Sequence, residues 1–77
     1  MKDAPSGASS ATLTARELEV LELVAEGLRN QDVAERLGIS VHTVHRHMNS
    51  VLEKLHAHSK LQAVVLAARA GLLDRLR

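Results

Sequence analysis

Four polar side chains between residues 42 and 49 carry hydrogen-bonding groups that match the edges of DNA bases: His42, His45, Arg46 and Asn49. An arginine can donate two parallel bonds to O6 and N7 of guanine, and an asparagine can bond N6 and N7 of adenine in the same bidentate way. At about 100° per residue, the four positions cluster on one side of a helix. We therefore take these side chains as candidates for reading bases in the major groove of double-stranded DNA.

A second polar set flanks this group and suits phosphate oxygens: Ser40, Thr43 and Lys54. Contacts to phosphates position a protein on the duplex without specifying its sequence. The stretch from 40 to 54 thus holds candidates for both kinds of DNA contact.

A tight turn leads into the helix that would carry these side chains. Gly38 stands where a left-handed residue ends one helix, Ile39 follows as its hydrophobic contact, and Ser40 is placed to cap the next helix. The pattern predicts a helix over 41–55 with one apolar side, which comprises Val44, Met48, Val51, Leu52 and Leu55. A short helix, a tight turn and a polar-faced second helix are typical of a helix-turn-helix that docks in the major groove.

The first predicted helix has acidic residues on its outer side. Thr14 and Glu17 are three residues apart, as in a capping box, and predict a helix from about Ala15 to Glu26 that stops at Gly27. The side predicted to be exposed carries Glu19, Glu22 and Glu26. Because these carboxylates would repel DNA, we expect this helix to face away from it.

Two more capped helices complete an all-α, four-helix domain. Asn30 is the predicted cap of the short helix over 31–37, and Ser59 is the predicted cap of a last helix that ends near Ala70. Residues 1–12 lack an apolar period and are interpreted as a tail or linker, which leaves the domain to residues 13–77.

Composition narrows the class of nucleic acid. The chain has no Phe, Tyr or Trp, and proteins that bind single strands or RNA loops need aromatic side chains on which bases stack. The net charge is only +1, but residues 1–41 hold four Lys or Arg against seven Asp or Glu, whereas residues 42–77 hold six against two. One half of the domain can therefore attract phosphates.

Size and cysteine content suggest a small cytoplasmic domain. Its 77 residues allow one domain, and the absence of cysteine fits a reducing compartment. The longest apolar run, 63–68, is far shorter than the ~20 residues that span a bilayer. We expect no membrane segment.

Two other site chemistries can be assembled on paper. All five histidines fall between His42 and His58, but zinc would need further ligands and the chain has no cysteine. Ser59, His56 and Asp74 could form a hydrolytic set, yet no nucleophile elbow or oxyanion loop surrounds them. We expect no metal, no cofactor and no enzymatic activity.

The last helix has more apolar surface than one core contact requires. One stripe comprises Leu61, Val64, Val65 and Ala68, and most of the remaining surface comprises Ala63, Leu66, Ala67 and Ala70. The helix could lie wedged across a small core. We favour a stripe that pairs with a second copy, because large exposed apolar patches mark interaction sites.

The stretch LTARELEVLELVAEGLRNQDVAERLGISVHTVHRHMNSVLEKL resembles the LuxR/FixJ-type DNA-binding domain of bacterial transcription regulators, and the resemblance continues through HSKLQAVVLAARAGLL. It implies a sequence-specific binder of double-stranded DNA that dimerises through its last helix. Such a domain is usually the C-terminal output module behind a phosphoreceiver, a ligand sensor or an ATPase module. The resemblance also raises RNA polymerase as a partner.

The resemblance assigns His45, Arg46 and Asn49 to bases and Thr43 and Lys54 to the DNA backbone. It places His47 at the position where the family usually has a histidine. We group His47 with the contacts to the DNA backbone and expect its side chain to be partly packed against the domain. The family often has lysine at the position of His45, so this chain has less fixed positive charge in the groove. A protein-interaction module that reuses the fold on an acidic partner is the rival interpretation.

Overall fold

The computed structural model describes residues 12–73 and contains four helices and no strand over that range. They are α1 (Ala15–Ala25), α2 (Asn30–Leu37), α3 (Val41–Leu55) and α4 (Lys60–Arg69). The predicted all-α, four-helix fold is confirmed. The predicted tail, apart from Thr12, and Asp74 of the hydrolytic set lie outside the described residues.

The capping box at the start of α1 is present in full. The Thr14 hydroxyl accepts from the Glu17 amide at 3.1 Å, and Glu17 Oε1 accepts from the Thr14 amide at 2.9 Å. These bonds satisfy amides that the first turn of a helix leaves without intrahelical partners. The helix ends at Ala25, one residue before the predicted end, with Glu26 as its cap residue.

The predicted cap of α2 was wrong by one residue. Arg29 is in the extended conformation at ψ 161° and is the cap residue, without a side-chain capping bond. The Val33 amide donates to the Arg29 carbonyl at 2.9 Å, so the helical bonds begin one residue earlier than expected. Asn30 is therefore the first helical residue, and its buried Oδ1 atom has no hydrogen-bond partner among the described residues.

The turn between α2 and α3 has the predicted geometry. Gly38 is left-handed at φ 70° and ψ 33°, and the Ile39 amide donates to the Ala34 carbonyl at 3.0 Å. That bond spans the end of α2 as in a Schellman motif. The Ser40 hydroxyl then accepts from the Thr43 amide at 3.0 Å and starts α3.

The core is built around α3, which packs against each of the other three helices. Its fully buried members are Val20, Leu21, Val33, Val44, Val51, Ala63 and Ala67, with Ala34, Met48 and Leu73 nearly so. The predicted apolar side of α3 is confirmed for Val44, Met48 and Val51, whereas Leu52 and Leu55 are half-buried against the core.

The expectation that Glu22 lies on the exposed side of α1 was wrong, because only 5% of it is accessible. α1 contacts α2, α3 and α4, so the buried part of its circumference is wider than a single apolar stripe. Glu19 and Glu26 are exposed as predicted.

Candidate nucleic-acid interface

The four candidate base-reading side chains lie together on the exposed side of α3. His42, His45, Arg46 and Asn49 are all exposed, and they begin two residues after the Ser40 cap. Val44, Met48 and Val51 hold the opposite side against the core. One side of α3 is thus packed on the core, and its polar side is accessible.

The two hydroxyls at the start of α3 form a linked pair. Ser40 Oγ and Thr43 Oγ1 are 3.0 Å apart, and either can donate to the other. Because one hydrogen bond uses one of the two hydroxyl protons, the other proton stays free to donate to an acceptor such as a phosphate oxygen. Ser40 is exposed and Thr43 half-buried, so this donor lies at the edge of the candidate interface.

The remaining two candidates for backbone contacts lie in a more enclosed strip of α3. His47 is half-buried, and 26% of the Lys54 side chain is exposed. The Lys54 ammonium donates to Glu17 Oε1 at 2.8 Å. Sequence reasoning placed Lys54 near phosphates, and the structure brings it to a carboxylate of α1.

The buried carboxylate of Glu17 accepts hydrogen bonds from the cap residue of α1 and from two residues of α3. Its Oε1 accepts from the Thr14 amide and from Lys54, and its Oε2 accepts from the Ser50 hydroxyl at 2.5 Å. Burial by itself raises the pKa of Glu17, but the bonds from Lys54, Ser50 and Thr14 and the charge of Lys54 outweigh it. They lower the pKa from 4.5 to about 2.

This contact between α1 and α3 was missed by sequence reasoning. The capping box alone accounts for Glu17 in the sequence, and Ser50 and Lys54 follow 33 and 37 residues later. No local spacing rule connects residues that far apart.

An open groove of about 830 Å³ adjoins the exposed side of α3 at the C-terminal end of this helix. It is lined by Arg46, Asn49, Ser50, Leu52, Glu53, His56, Ala57 and His58. His56 ends α3 in the left-handed conformation at φ 56° and ψ 39°. The groove continues from the exposed side of α3 onto the loop that follows it.

The two other candidate sites considered from the sequence are the histidine metal site and the hydrolytic set that includes Ser59. Over residues 12–73, no group of three His, Asp or Glu side chains is placed to hold a metal ion. The Ser59 hydroxyl accepts from the Gln62 amide at 3.0 Å as the cap of α4. Within the same range, no helix is both long and apolar enough to cross a membrane.

Comparisons with known proteins define the class of domain. The profile of the family described as "Bacterial regulatory proteins, luxR family" matches residues 11–67. The solved structure of the transcription factor GerE superposes with a TM-score of 0.75 at 32% identity, over 78% of this chain and 90% of that one. VqmA bound to DPO also gives a TM-score of 0.75, at 41% identity over 79% of this chain and 30% of VqmA.

This chain belongs to the LuxR family and is a helix-turn-helix DNA-binding domain of the kind found in transcription regulators. The uncharacterized transcriptional regulatory protein YxjL of Bacillus subtilis is 50% identical over 61 residues, which are 79% of this chain and 28% of YxjL. The oxygen regulatory protein NreC of Staphylococcus carnosus is 44% identical over 80% of this chain and 29% of NreC. The transcriptional activator SolR of Ralstonia nicotianae is 51% identical over 84% of this chain and 28% of SolR.

The chain thus spans less than a third of the length of these curated relatives.

Proposed function

We propose that this domain binds double-stranded DNA sequence-specifically by inserting the N-terminal half of α3 into the major groove. The observation that carries the proposal is the placement of His42, His45, Arg46 and Asn49 on one exposed side of a helix whose other side is buried. In this arrangement Arg46 and Asn49 supply bidentate groups for bases, and His42 and His45 supply single donors or acceptors.

Backbone contacts on both sides of α3 would set its depth in the groove. The linked hydroxyls of Ser40 and Thr43 offer one free proton to a phosphate at the start of the helix. His47 is a further candidate and is half-buried. Lys54 was the last member of the set predicted from the sequence, but its ammonium is paired with Glu17, so we leave it out of the proposed phosphate contacts.

We further propose that α4 pairs two copies of the domain. Ala63 and Ala67 turn into the core with no exposure, whereas 74% of Leu61 and 40% of Val65 are exposed. Ala68 is exposed as well, whereas Val64 is half-buried against the core, so three of the four residues of the predicted stripe are accessible to a second copy. A symmetric pair through this stripe would present two copies of α3 to a roughly palindromic site.

The whole protein would then be a transcription regulator with this domain as its C-terminal output module. The curated relatives are more than three times as long as the matched region, which leaves room in them for a sensory part. A DNA ligand would place the protein in the cytoplasm and bring it near RNA polymerase. We propose no catalytic role and no cofactor for the domain.

The proposal is tested by selecting the duplexes that the domain binds from a random pool and then titrating the domain with the selected sequence. Binding to the selected duplex should exceed binding to a scrambled duplex of equal length and should weaken as salt rises. The scrambled duplex controls for charge, since both duplexes carry the same phosphates. Equal binding to both would contradict sequence-specific reading, and no salt-dependent binding to either would favour the rival role of a protein-interaction module.

A further inference from the structure

We propose that Glu17 is a positioning residue for DNA reading, which holds α3 in register on α1 through Ser50 and Lys54. In this view Lys54 acts through Glu17 and does not bind a phosphate. The inference rests on the proposed function, because it concerns how accurately α3 is presented to the bases.

The geometry of the two contacts is suited to fixing a helix. Ser50 and Lys54 are four residues apart, so they lie one turn and roughly 6 Å apart along the same strip of α3. Both meet the same carboxylate, Ser50 at Oε2 and Lys54 at Oε1. Two attachments one turn apart oppose rotation of α3 about its axis as well as sliding along it.

The carboxylate itself is held in place from the other side. Glu17 Oε1 also accepts from the Thr14 amide, and the Thr14 hydroxyl accepts from the Glu17 amide. The capping box thus fixes the Glu17 side chain relative to α1, so the bonds from Ser50 and Lys54 link α3 to a defined point of α1. Only 6% of Glu17 is exposed, so the carboxylate has little room to move.

Charge argues against a phosphate role for Lys54. Among the described residues Lys54 is the cation that pairs with Glu17, and a phosphate that took its ammonium would leave a buried carboxylate without its counter-charge. The phosphates of the duplex would add further negative charge close by. Keeping the ion pair intact in the complex avoids both penalties.

The base-reading side depends on this register. Arg46 precedes Ser50 by one helical turn, and Asn49 is its direct neighbour in the chain. Bidentate bonds to bases need both atoms of each pair within hydrogen-bond distance, so a small rotation of α3 would spoil them. Contacts to phosphates without base preference tolerate such a rotation better. Loss of the Glu17 contact should therefore reduce discrimination between sequences more than general affinity.

The sign of the effect of Glu17→Gln separates positioning from electrostatics. Removing a negative charge from any DNA-binding domain should strengthen binding to all duplexes slightly. Glu19→Gln is the matched control, since Glu19 lies on the same helix, is 48% exposed and pairs only with Arg16 at 3.3 Å within the described contacts. We expect Glu19→Gln to bind all duplexes slightly more tightly. We expect Glu17→Gln to lower affinity for the selected duplex about tenfold relative to affinity for random duplexes.

Lys54→Met supplies a second, independent readout. If Lys54 acts through Glu17, this variant should lose discrimination and keep the salt slope of the 77-residue wild-type chain. A phosphate contact would instead lower affinity for all duplexes and reduce the slope by roughly one unit. The two side chains share one contact. The double variant Glu17→Gln with Lys54→Met should therefore lose about as much discrimination as the more damaging single variant.

Ser50→Ala keeps the test decisive if Glu17→Gln does not fold. It retains the ion pair and removes one of the two attachments, so we expect native helicity by circular dichroism and a smaller loss of discrimination. Native helicity with unchanged discrimination in Ser50→Ala, or a Glu17→Gln variant that behaves as Glu19→Gln does, would overturn the positioning role. A wild-type chain that enriches no duplex would overturn the proposed function, which is a separate outcome.

Discussion

At the scale of single residues, the proposed function depends on a small number of fixed charges. α3 contains two cations, and one of them, Lys54, is paired with Glu17, which leaves Arg46 as the fixed positive charge on the base-reading side. His42 and His45 carry charge only when protonated. We therefore expect affinity to depend more on base contacts than on phosphate attraction.

Arg46→Ala should cost about 1 to 3 kcal/mol at the selected site, because a bidentate pair with a base is lost. Binding to random duplexes should fall much less, so preference for the selected site should relax. Titration of both duplexes over a range of salt concentrations measures the two effects. An equal loss on both duplexes would reassign Arg46 to the DNA backbone.

Glu17 should make the domain sensitive to strong acid. Its folded pKa of about 2 lies below the ordinary value of 4.5, so the stabilisation is complete above pH ~4.5 and is lost as pH falls through about 2. The shift corresponds to an upper bound on the order of 3 kcal/mol in the free energy of unfolding at neutral pH.

Denaturant unfolding of wild type and Glu17→Gln at several pH values between 7 and 2 checks this. The stability difference between the two proteins should be constant from pH 7 to about 5 and should shrink towards pH 2. Glu19→Gln is the control, because it removes the same charge from an exposed side chain of the same helix. A difference that does not change with pH would show that the Glu17 charge is not the source of the stabilisation.

At the scale of elements, the turn between α2 and α3 sets the direction of the base-reading helix. Gly38 is left-handed, a conformation that costs other residues about 1 kcal/mol or more. A Cβ atom built at Gly38 would meet nothing within 4 Å, so a side chain there is opposed by the backbone conformation and not by a clash. The requirement for glycine at position 38 thus comes from the backbone conformation and not from a lack of space.

Gly38→Ala should accordingly destabilise the domain by roughly 1 kcal/mol and leave its fold unchanged. Thermal unfolding measures the loss, and the DNA-binding preference of the folded fraction should remain that of wild type. Gln31→Ala is a suitable control in the same region, since Gln31 is exposed within α2. A loss of several kcal/mol, or altered base preference, would mean that the turn has a tertiary role beyond its conformation.

At the scale of the whole molecule, the exposed stripe of α4 is the surface where we expect self-association. Leu61→Glu and Val65→Glu place a charge on the two large apolar side chains that α4 exposes. Both should weaken self-association and leave helicity unchanged, because Leu61 and Val65 are exposed and lie outside the core cluster, to which α4 contributes Ala63, Ala67 and the half-buried Val64.

Sedimentation with circular dichroism measures both quantities. Gln62→Glu is the matched control, because it adds the same charge on α4 and its carboxylate can still accept from the His58 amide. Loss of helicity in both stripe variants would show that Leu61 and Val65 stabilise the folded monomer and would contradict their role in the dimer. Unchanged association in both would remove α4 from the proposed dimer.

The sequence by itself determined the parts of the fold that depend on near neighbours. The capping box at Thr14, the left-handed Gly38 and the Ser40 cap each involve residues within five positions of one another, so local spacing rules predicted them correctly. The same locality placed His42, His45, Arg46 and Asn49 on one side of α3. Their contacts with DNA stay a proposal, because a helical period indicates which residues share a side and not what they bind.

Only the tertiary structure decided the features that depend on distant residues. The burial of Glu22 follows from the contacts that α1 makes with the other three helices. The bonds from Ser50 and Lys54 to Glu17 join residues 33 and 37 positions apart. Such contacts depend on how whole helices pack. A buried carboxylate needs hydrogen-bond donors, and the packing of the neighbouring helix decides which donors lie close enough.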